Sequence, residues 1–401
     1  MITKMSFDKN AQWTESTFKE VLDIERGSSP RPIGKYLCDS DDGLNWIKIG
    51  DAPINGNRIT SVKEKILTTG LNQTRMVHKG DLILSNSMSF GRPYILEVDG
   101  CIHDGWLVIR NINNIFNLEF LVYLLASDRI KKQYKKLAGS GVVSNLNKDL
   151  VSEVILKYPP IKEQQKIAEF LTALDEKIRI EEQRLRIFKK QASAVISGIF
   201  NRNSDLNEVT GKFNTHHLGS LVEEVKLLNK NKECDLVITN SAEFGIVPQK
   251  DFFDRNIAQE VNVDKYTIVE NGDFVYNPRI SKTAPAGPIN RSHLNQGVVS
   301  PLYTVFRVNS DLVIGDYLEC YFASGRWVAY AKSVANYGAR HDRMNITNDD
   351  FFNMPIPVPD LKDQANISGL YKTLNLKSKL QESKLTCLIK LKKAFMQRMF
   401  V

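Results

Sequence analysis

The sequence repeats itself at a fixed offset of 200 residues, and this duplication restricts the fold more than any other feature. Identical residues recur without a gap in two segments, at Pro159 and Pro359, Lys162 and Lys362, Gln164 and Gln364, Ile167 and Ile367, Leu174 and Leu374, Lys177 and Lys377, Glu182 and Glu382, Leu185 and Leu385, Lys190 and Lys390, Ala194 and Ala394, and Phe200 and Phe400. Looser upstream matches are Gly80-Asp81 with Gly272-Asp273 and Ala126-Ser127 with Ala323-Ser324. The repeat predicts two variable globular blocks, each followed by a better preserved helix.

The better preserved segments have the spacing of a coiled coil. In the first, apolar residues recur at alternating steps of four and three, at Ile167, Leu171, Leu174, Ile178, Leu185 and Phe188, with Glu181 as the one polar exception. The second keeps the pattern at Ile367, Leu374, Leu385, Leu388 and Phe395, but it places Ser378, Gln381 and Lys392 where apolar residues are expected. A heptad pattern sustained over several heptads predicts helices that pack along a seam. The pattern also places Val195 in the first seam.

Further apolar residues lie beside both seams, at Phe170, Ile180, Ile187 and Ile196 in the first helix and at Leu370, Leu380, Ile389, Leu391 and Met396 in the second. A two-stranded coiled coil needs only the narrow seam, so the extra width indicates a second buried face. That face packs either against other proteins or against the protein's own globular blocks.

The order of the segments predicts how the helices run. A helix of about 40 residues measures about 60 Å, and the first therefore leads away from the first block. The second block begins beyond it, so the second helix must return beside the first as an antiparallel partner. We expect five domains and segments: the first block at 1–158, the first helix at 159–200, a polar linker at 201–214, the second block at 215–358 and the second helix at 359–401.

Within each block, short strand-like runs are interrupted by Gly and Asn and are followed by one helix. The helix is expected near Leu118 to Leu137 in the first block and near Asp316 to Lys332 in the second. The predicted fold class is therefore α+β, with two β-rich blocks and two long helices that form an antiparallel coiled coil.

The charge of the chain favours an anionic partner. Lys and Arg number 54 and Asp and Glu number 46, which gives a formal net charge of +8. Cationic side chains gain free energy on DNA by releasing condensed counterions. The N-terminal residues lack the apolar core of a secretory signal, and the five cysteines have no metal-ligand spacing, so we expect a cytoplasmic protein with reduced thiols.

Polar, arginine-containing loops supply candidate DNA contacts, because Arg can grip guanine edges and Ser can hold phosphates. The candidates are Arg31, Arg58, Arg75, Lys79, Ser87 and Arg92 in the first block, and Arg279, Lys282, Arg291, Arg340 and Arg343 in the second.

The sequence lacks the motifs of a catalytic chain. It has no Walker A sequence, no metal-ligand cluster and no nucleophile elbow. Amino-methyltransferases of DNA carry an Asn/Asp-Pro-Pro-aromatic signature, and Asn277-Pro278-Arg279 fails at its third position. Asp81 and Asp273 each follow a glycine, where a strand-entry turn explains them better than catalysis. We therefore predict a non-catalytic chain with no cofactor of its own.

Together these features resemble the specificity subunits of type I restriction–modification systems. The resemblance is carried by Pro159-Pro160 with Glu163-Gln164-Gln165-Lys166-Ile167-Ala168, by the second copy from Pro359, by Trp46-Ile47-Lys48-Ile49-Gly50-Asp51 and by Gly80-Asp81-Leu82 with Gly91-Arg92. It implies two target-recognition domains, each reading half of a split asymmetric DNA site, with the helices setting the spacing. It also implies docking of two modification subunits with S-adenosylmethionine and adenine-N6 methyltransferase activity. Restriction subunits, which use ATP and Mg²⁺ in an ATP-dependent endonuclease, are implied as further partners.

The second helix departs from this pattern, since Ala365 replaces the second glutamine and its seam is more polar. Two other functions stay open at this point. The chain could be an adaptor that grips two proteins through its blocks, or a self-contained nuclease or methyltransferase. Steeply salt-dependent duplex binding would separate a DNA reader from an adaptor.

Overall fold

A computed structural model describes residues 12–54, 56–86, 91–111, 114–138, 146–201, 213–252, 263–336 and 342–400. The chain divides into two compact units, which are Met1–Gln183 with Ser383–Val401 and, second, Arg184–Glu382. Each unit therefore holds one globular block, here called a head, together with a segment of both long helices. Two of the candidate DNA contacts, Ser87 and Arg340, lie outside the described residues.

The first head contains twelve strands, β1 (Thr14–Thr17), β2 (Leu22–Arg26), β3 (Leu37–Cys38), β4 (Leu44–Ile47), β5 (Arg58–Ile59), β6 (Lys65–Ile66), β7 (Arg75–Val77), β8 (Leu82–Ser85), β9 (Pro93–Leu96), β10 (Gly100–Ile102), β11 (Trp106–Asn111) and β12 (Ile155–Tyr158), among its described residues. Its helices are α1 (Phe18–Val21), α2 (Leu118–Leu125), α3 (Asp128–Ala138) and α4 (Lys148–Ser152). Two five-stranded sheets have the orders β3-β6-β4-β10-β7 and β2-β11-β8-β9-β5, and β1 pairs separately with β12. Most pairs are antiparallel, whereas β4 with β10 and β5 with β9 are parallel.

Strand β8 shows why the first head has two cores. Its side chains are buried on both faces and alternate between them, as the two-residue period of a strand requires. Leu82 and Leu84 belong to the core formed with helices α2 and α3, whereas Ile83 packs in a second core with Trp106 and Val108. The sheet is therefore the middle layer between the helices and the rest of the head.

The second head contains ten strands, β13 (Asn214–His217), β14 (Val222–Glu224), β15 (Ile238–Ser241), β16 (Gly245–Pro248), β17 (Thr267–Glu270), β18 (Phe274–Tyr276), β19 (Ile289–Arg291), β20 (Gln296–Val299), β21 (Thr304–Val308) and β22 (Pro355–Val358), among its described residues. Its helices are α6 (Gln249–Phe252), α7 (Gly315–Ala323), α8 (Trp327–Val334) and α9 (Asn348–Phe352). A four-stranded sheet has the order β14-β21-β18-β19, and the other pairs are β13 with β22, β15 with β16 and β17 with β20. Phe274 and Tyr276 of β18 face the helical core and Val275 faces a second core, as in β8.

The two long helices are α5 (Ile161–Ile199) and α10 (Leu361–Met399), each of 39 residues. Their contacts are antiparallel within each unit. In the first unit Phe170 packs on Phe395 with ring centroids 4.8 Å apart, and in the second Lys189 pairs with Glu382 at 2.6 Å. These helices and the mixed heads confirm the predicted α+β fold class.

Two expectations within this fold were wrong. One continuous helix was expected near Leu118 to Leu137 and another near Asp316 to Lys332, but each of these stretches is divided into two helices, because the chain breaks at Ala126-Ser127 and at Ser324 to Arg326. Val195 was expected in the seam of α5, but it is 39% exposed and the buried side chain is Ile196. The seam shifts there because Ile196, Ile199 and Phe200 pack into the core of the second head.

Candidate nucleic-acid interface

Each head is joined to the start of its long helix by a buried glutamine. Gln164 Nε2 donates to the carbonyl oxygens of Ile115 (3.1 Å) and Pro159 (2.9 Å), and its Oε1 accepts from the Asn117 backbone N–H (2.9 Å). The side chain is 1% exposed, so these hydrogen bonds replace its contacts with water.

Gln364 makes the same three bonds in the second unit. Its Nε2 donates to Leu312 (2.8 Å) and Pro359 (2.9 Å), and its Oε1 accepts from the Ile314 N–H (2.9 Å). The repeat therefore preserves a hydrogen-bonded joint that fixes where each helix begins on its head. The sequence marked both glutamines as a matched pair but did not reveal this role.

Two further features of the joint recur at the 200-residue offset. Strand β1 pairs with β12, and β13 pairs with β22 in the same antiparallel register, so the chain enters and leaves each head side by side. Each helix also ends on an aromatic contact. Phe400 lies 5.6 Å from Phe120 in the first unit, and Phe200 lies 5.8 Å from Tyr317 in the second.

The Gly-Asp pairs that recur in both heads have a structural role, as the sequence indicated. Gly80 and Gly272 have φ of 93° and 96°, a conformation that favours glycine. Asp81 accepts from the His78 N–H (2.9 Å), and the buried Asp273 accepts from the Glu270 N–H (2.7 Å). These carboxylates therefore close the turns that precede β8 and β18.

The candidate cations of the first head form two groups. Arg31 lies 3.4 Å from Asp104, and its side chain is 81% exposed. Arg75 pairs with Glu25 at 3.1 Å and donates from Nε to the Arg26 carbonyl (2.8 Å). Both arginines lie near the turn between β10 and β11, where Asp104 also binds the Ser29 hydroxyl (3.0 Å).

The second group centres on Glu97. Arg58 forms ion pairs with Glu97 and Glu119, and Lys79 lies 3.5 Å from Glu97. The hydrogen bond from Arg58 holds the pKa of the Glu97 carboxyl below its usual value. Arg92 instead donates to the Gly56 carbonyl (3.0 Å), and its guanidinium carbon lies 5.3 Å from the centre of the Tyr94 ring.

In the second head the candidates differ in how strongly they are neutralised. Arg291 pairs with Asp316 at 2.6 Å and lies 3.8 Å from Glu319, and its side chain is 22% exposed. Arg279 and Arg343 each approach the single carboxylate of Asp342 at 4.0 Å. Lys282 is exposed on the same loop as Arg279. Arg291 therefore packs helix α7 onto the sheet, whereas Arg279 and Arg343 border a cleft.

The seam positions of the long helices are buried to different degrees. Ile167, Leu171, Leu174 and Ile367 are buried, whereas the remaining predicted seam residues are partly buried, namely Ile178, Leu185, Phe188, Leu374, Leu385, Leu388 and Phe395. Two charged residues of the seam, Glu181 and Lys392, form ion pairs within the first unit. Glu181 pairs with Lys384 at 2.7 Å, and Asp175 pairs with Lys392 at 2.5 Å.

The apolar residues beside the seam divide into two sets. Phe170 and Met396 pack on the core of the first head, and Ile196 is buried in that of the second. Ile187, Leu380, Ile389 and Leu391 are instead exposed. One part of this second apolar face therefore packs on the heads. The other part is exposed to solvent and is accessible to another protein.

The described residues hold no group of three or more His, Cys, Asp or Glu side chains placed to bind a metal ion. All five cysteines are free thiols. Burial raises the pKa of the Cys101 thiol to about 11 and that of Cys320 to about 12, which leaves both protonated and poorly nucleophilic at neutral pH. No helix in the described part of the chain is long and apolar enough to cross a membrane.

Comparison with known proteins points in one direction. A family model described as the type I restriction modification DNA specificity domain matches residues 10–187. The chain is 28% identical over 159 residues to the type I restriction enzyme HindI specificity subunit of Haemophilus influenzae, a match that spans 38% of this chain and 34% of that protein. It is 22% identical to the putative MjaX specificity subunit of Methanocaldococcus jannaschii, over 90% of this chain and 87% of that protein.

Two solved structures share the fold. A chain from a study of complex assembly and conformational transition of the type I restriction–modification system matches with a TM-score of 0.62 and 18% identity, over 97% of both chains. The S subunit of a type I system from M. genitalium matches with a TM-score of 0.56 and 12% identity, over 99% of this chain and 98% of that one. The family model and the curated relatives show that the chain is similar to type I restriction–modification specificity subunits, and the two solved structures share its fold.

Proposed function

We propose that this chain is the DNA sequence-specificity subunit of a type I restriction–modification complex, in which each head reads one half of a split, asymmetric DNA site. The observation that carries the proposal is the contrast within the repeat. The joints recur bond for bond at Gln164 and Gln364, whereas the loops that bear the candidate cations differ between the heads. Such a protein would present two different DNA-contacting surfaces on two equivalent joints between head and helix.

The helices supply the second part of the proposal. At 1.5 Å per residue, a helix of 39 residues measures about 58 Å, which exceeds the 34–36 Å or so of one DNA turn. The helices would set the distance between the two half-sites. The exposed apolar residues Ile187, Leu380 and Leu391 would help to dock two modification subunits.

The chemistry would reside in those partners. Modification subunits would bring S-adenosylmethionine for adenine-N6 methylation, and restriction subunits would bring the ATP- and Mg²⁺-dependent motor and nuclease. This chain would contribute recognition and no cofactor of its own. An adaptor without DNA recognition is not favoured, since the matched family model describes a DNA specificity domain.

The test is a map of methylated adenines in cells that express the modification subunits with or without this chain. We expect methylation at one split, asymmetric motif only when the chain is present. Methylation at a continuous palindrome, or the same pattern without the chain, would contradict the proposal. Binding of the purified complex to duplex DNA should also weaken steeply as salt increases, which a protein adaptor would not show.

A further inference from the structure

The second head contains an open cleft of about 460 Å³ whose lining residues all belong to the second unit. Its lining includes Thr239, Asn240, Tyr303, Arg279 and Arg343. Hydroxyl, amide and guanidinium groups of this kind can bind base edges, because they offer donors and acceptors in fixed directions. The cleft lies at the ends of β15 and β18.

The floor of the cleft is a chain of hydrogen-bonded asparagines. The Asn240 side chain is 2% exposed and donates to the carbonyls of Val275 (2.6 Å) and Pro288 (3.0 Å), while its Oδ1 accepts from Asn290 (2.6 Å). Asn277 donates to the Asn240 carbonyl (2.9 Å). Because these amides are bonded on several sides, the floor is rigid before any ligand arrives.

The same network positions Arg279. Its backbone N–H donates to the Asn277 side chain (3.0 Å), and its backbone forms an antiparallel bridge with that of Arg343. Two further backbone bonds secure this bridge, from Ile280 to the Asp342 carbonyl (3.0 Å) and from Met344 to the Pro278 carbonyl (2.8 Å). Two arginines that are distant in sequence are therefore held side by side.

The turn at Gly287, which lies against the segment that leads into Arg279, requires a glycine. Gly287 has a φ of 80°, and a Cβ at this position would lie 2.0 Å from the Asn277 carbonyl oxygen. The close approach of the two backbone segments is therefore possible only without a side chain. The close packing at Gly287 therefore helps to hold the Arg279 loop next to the buried asparagines.

Arg279 and Arg343 differ from the other arginines of the second head in how strongly carboxylates neutralise them. Among the five arginines in the described residues of the second head, Arg307 is bound by Asp273 and Glu270, and Arg291 by Asp316. Arg326 donates to the Phe200 carbonyl (3.4 Å) and the Asn201 side chain (3.0 Å). These three hold the fold together.

Arg279 and Arg343 share one carboxylate, Asp342, at the outer limit of an ion pair. Their side chains are 64% and 32% exposed. The single carboxylate of Asp342, 4.0 Å from each arginine, only partly neutralises the two guanidinium groups, and the exposed Glu243 also lines the cleft. The pair is held in place by its backbone while its charged ends can reach an acceptor.

We infer that Arg279 and Arg343 are the guanine-reading pair of the second head, with Asp342 as the carboxylate that orients them before DNA binds. A guanidinium fork matches the O6 and N7 acceptors of guanine, and this pairing is the commonest specific contact in the major groove. The inference rests on the proposed function and adds that the half-site read by this head contains at least one G·C pair.

The experiment compares four variants in the complete methyltransferase complex by sequencing methylated adenines in a randomised DNA library. Arg279→Ala and Arg343→Ala should relax the motif at a G·C position of one half-site, with discrimination reduced about tenfold to a hundredfold. Arg343→Lys keeps the charge but loses the fork, so it should also relax the motif while retaining DNA binding. Lys226→Ala is the control, because Lys226 is 75% exposed on the same head and pairs with Glu224. It should leave the motif unchanged.

Three results would overturn the inference. The first is an unchanged motif in all three arginine variants, and the second is a half-site without a G·C pair at the altered position. The third is a uniform loss of methylation at every sequence, which indicates phosphate contacts. If the unaltered chain directs no motif at all, the proposed function fails instead.

Discussion

In the first unit, the Tyr123 hydroxyl donates to Asp175 (2.8 Å), and Lys392 pairs with the same carboxylate at 2.5 Å. In the second unit the positions that correspond to these three residues hold Cys320, Asn375 and Ala192, and none of them can form an ion pair. There the head is tied to α10 by Lys372, which pairs with Asp316 at 2.5 Å. The charged contacts between head and helix therefore differ, although both joints keep the same glutamine bonds.

The buried hydrogen bonds of the joint, and not its ion pairs, are therefore the contacts that the two units share. Backbone groups bonded to Gln164 and Gln364 fix the direction of each helix, and any change in them would misplace a head. The charged contacts lie at the surface of the joint, where one pair can replace another at little cost in stability. The duplicated segments have therefore kept the buried bonds and diverged in their ion pairs.

The largest effect should come from the glutamines themselves. Gln164→Leu and Gln364→Leu each leave two carbonyls and one N–H buried without a partner, which costs about 1–3 kcal/mol for each group. We expect each variant to lose roughly 3–5 kcal/mol of unfolding free energy in urea titrations, and the two losses to be similar.

The control for both is Gln165→Leu, since Gln165 is exposed on the same helix. It should change the unfolding free energy by no more than about 0.5 kcal/mol. If the unfolding free energies lost by Gln164→Leu and Gln364→Leu differ by more than about 2 kcal/mol, the two joints are not equivalent.

A smaller effect is expected from the Asp175–Lys392 pair. Its side chains are about one-third exposed, so the coupling between them should be about 1 kcal/mol in a double-mutant cycle of Asp175→Asn and Lys392→Ala. The coupling should fall at high salt, because the pair is partly open to solvent. Zero coupling at low salt would show that Tyr123 and packing alone hold the first head.

The smallest effect concerns pH and belongs to the second unit. Partial burial alone would raise the pKa of Asp316, but hydrogen bonds from Lys372 and Arg291 outweigh it and hold this pKa below the usual value of 3.8. A carboxyl whose pKa is lower in the folded state stabilises the fold above its unfolded pKa. This stabilisation is lost as the pH falls from about 4 through the folded pKa.

Acidification should therefore lower the unfolding free energy of the native chain slightly more than that of the Asp316→Asn variant. The difference should be under about 1 kcal/mol. Thermal unfolding of both proteins between neutral pH and about pH 3 would measure the difference. An Asp316→Asn protein that loses stability more steeply with acid than the native chain would contradict the assignment.

The repeat predicted the long helices closely, because a gapless register with a heptad pattern has few alternative structures. The helices found at Ile161–Ile199 and Leu361–Met399 lie within the predicted segments. The polar residues Ser378, Gln381 and Lys392 left the second seam uncertain, yet all three are partly buried in the same register as their apolar neighbours. For Lys392 the reason is Asp175, a partner that lies far away in sequence.

The candidate site was less predictable, because the role of an arginine depends on its neighbours in space. Arg279, Arg291 and Arg343 looked equivalent in sequence. Only the fold shows that Asp316 neutralises Arg291 and that a backbone bridge joins the other two. Asn240 was missed, since the sequence around it carries no recognisable motif, and Asp342 lies in the loop from Asn336 to Arg343 that was singled out for its arginines alone. Asn277 had a weak signal, because an asparagine follows the matched strand in both heads, at Asn86 and Asn277.

The proposed function requires that each head reads DNA independently of the other, on an equivalent joint to its long helix. The most direct measurement exchanges residues 1–150 for the corresponding head of a type I restriction–modification specificity subunit and maps methylated adenines in cells that express the modification subunits. We predict that one half of the recognised motif changes and that the other half and the spacing between them stay the same. A change in both halves, or in neither, would contradict the claim.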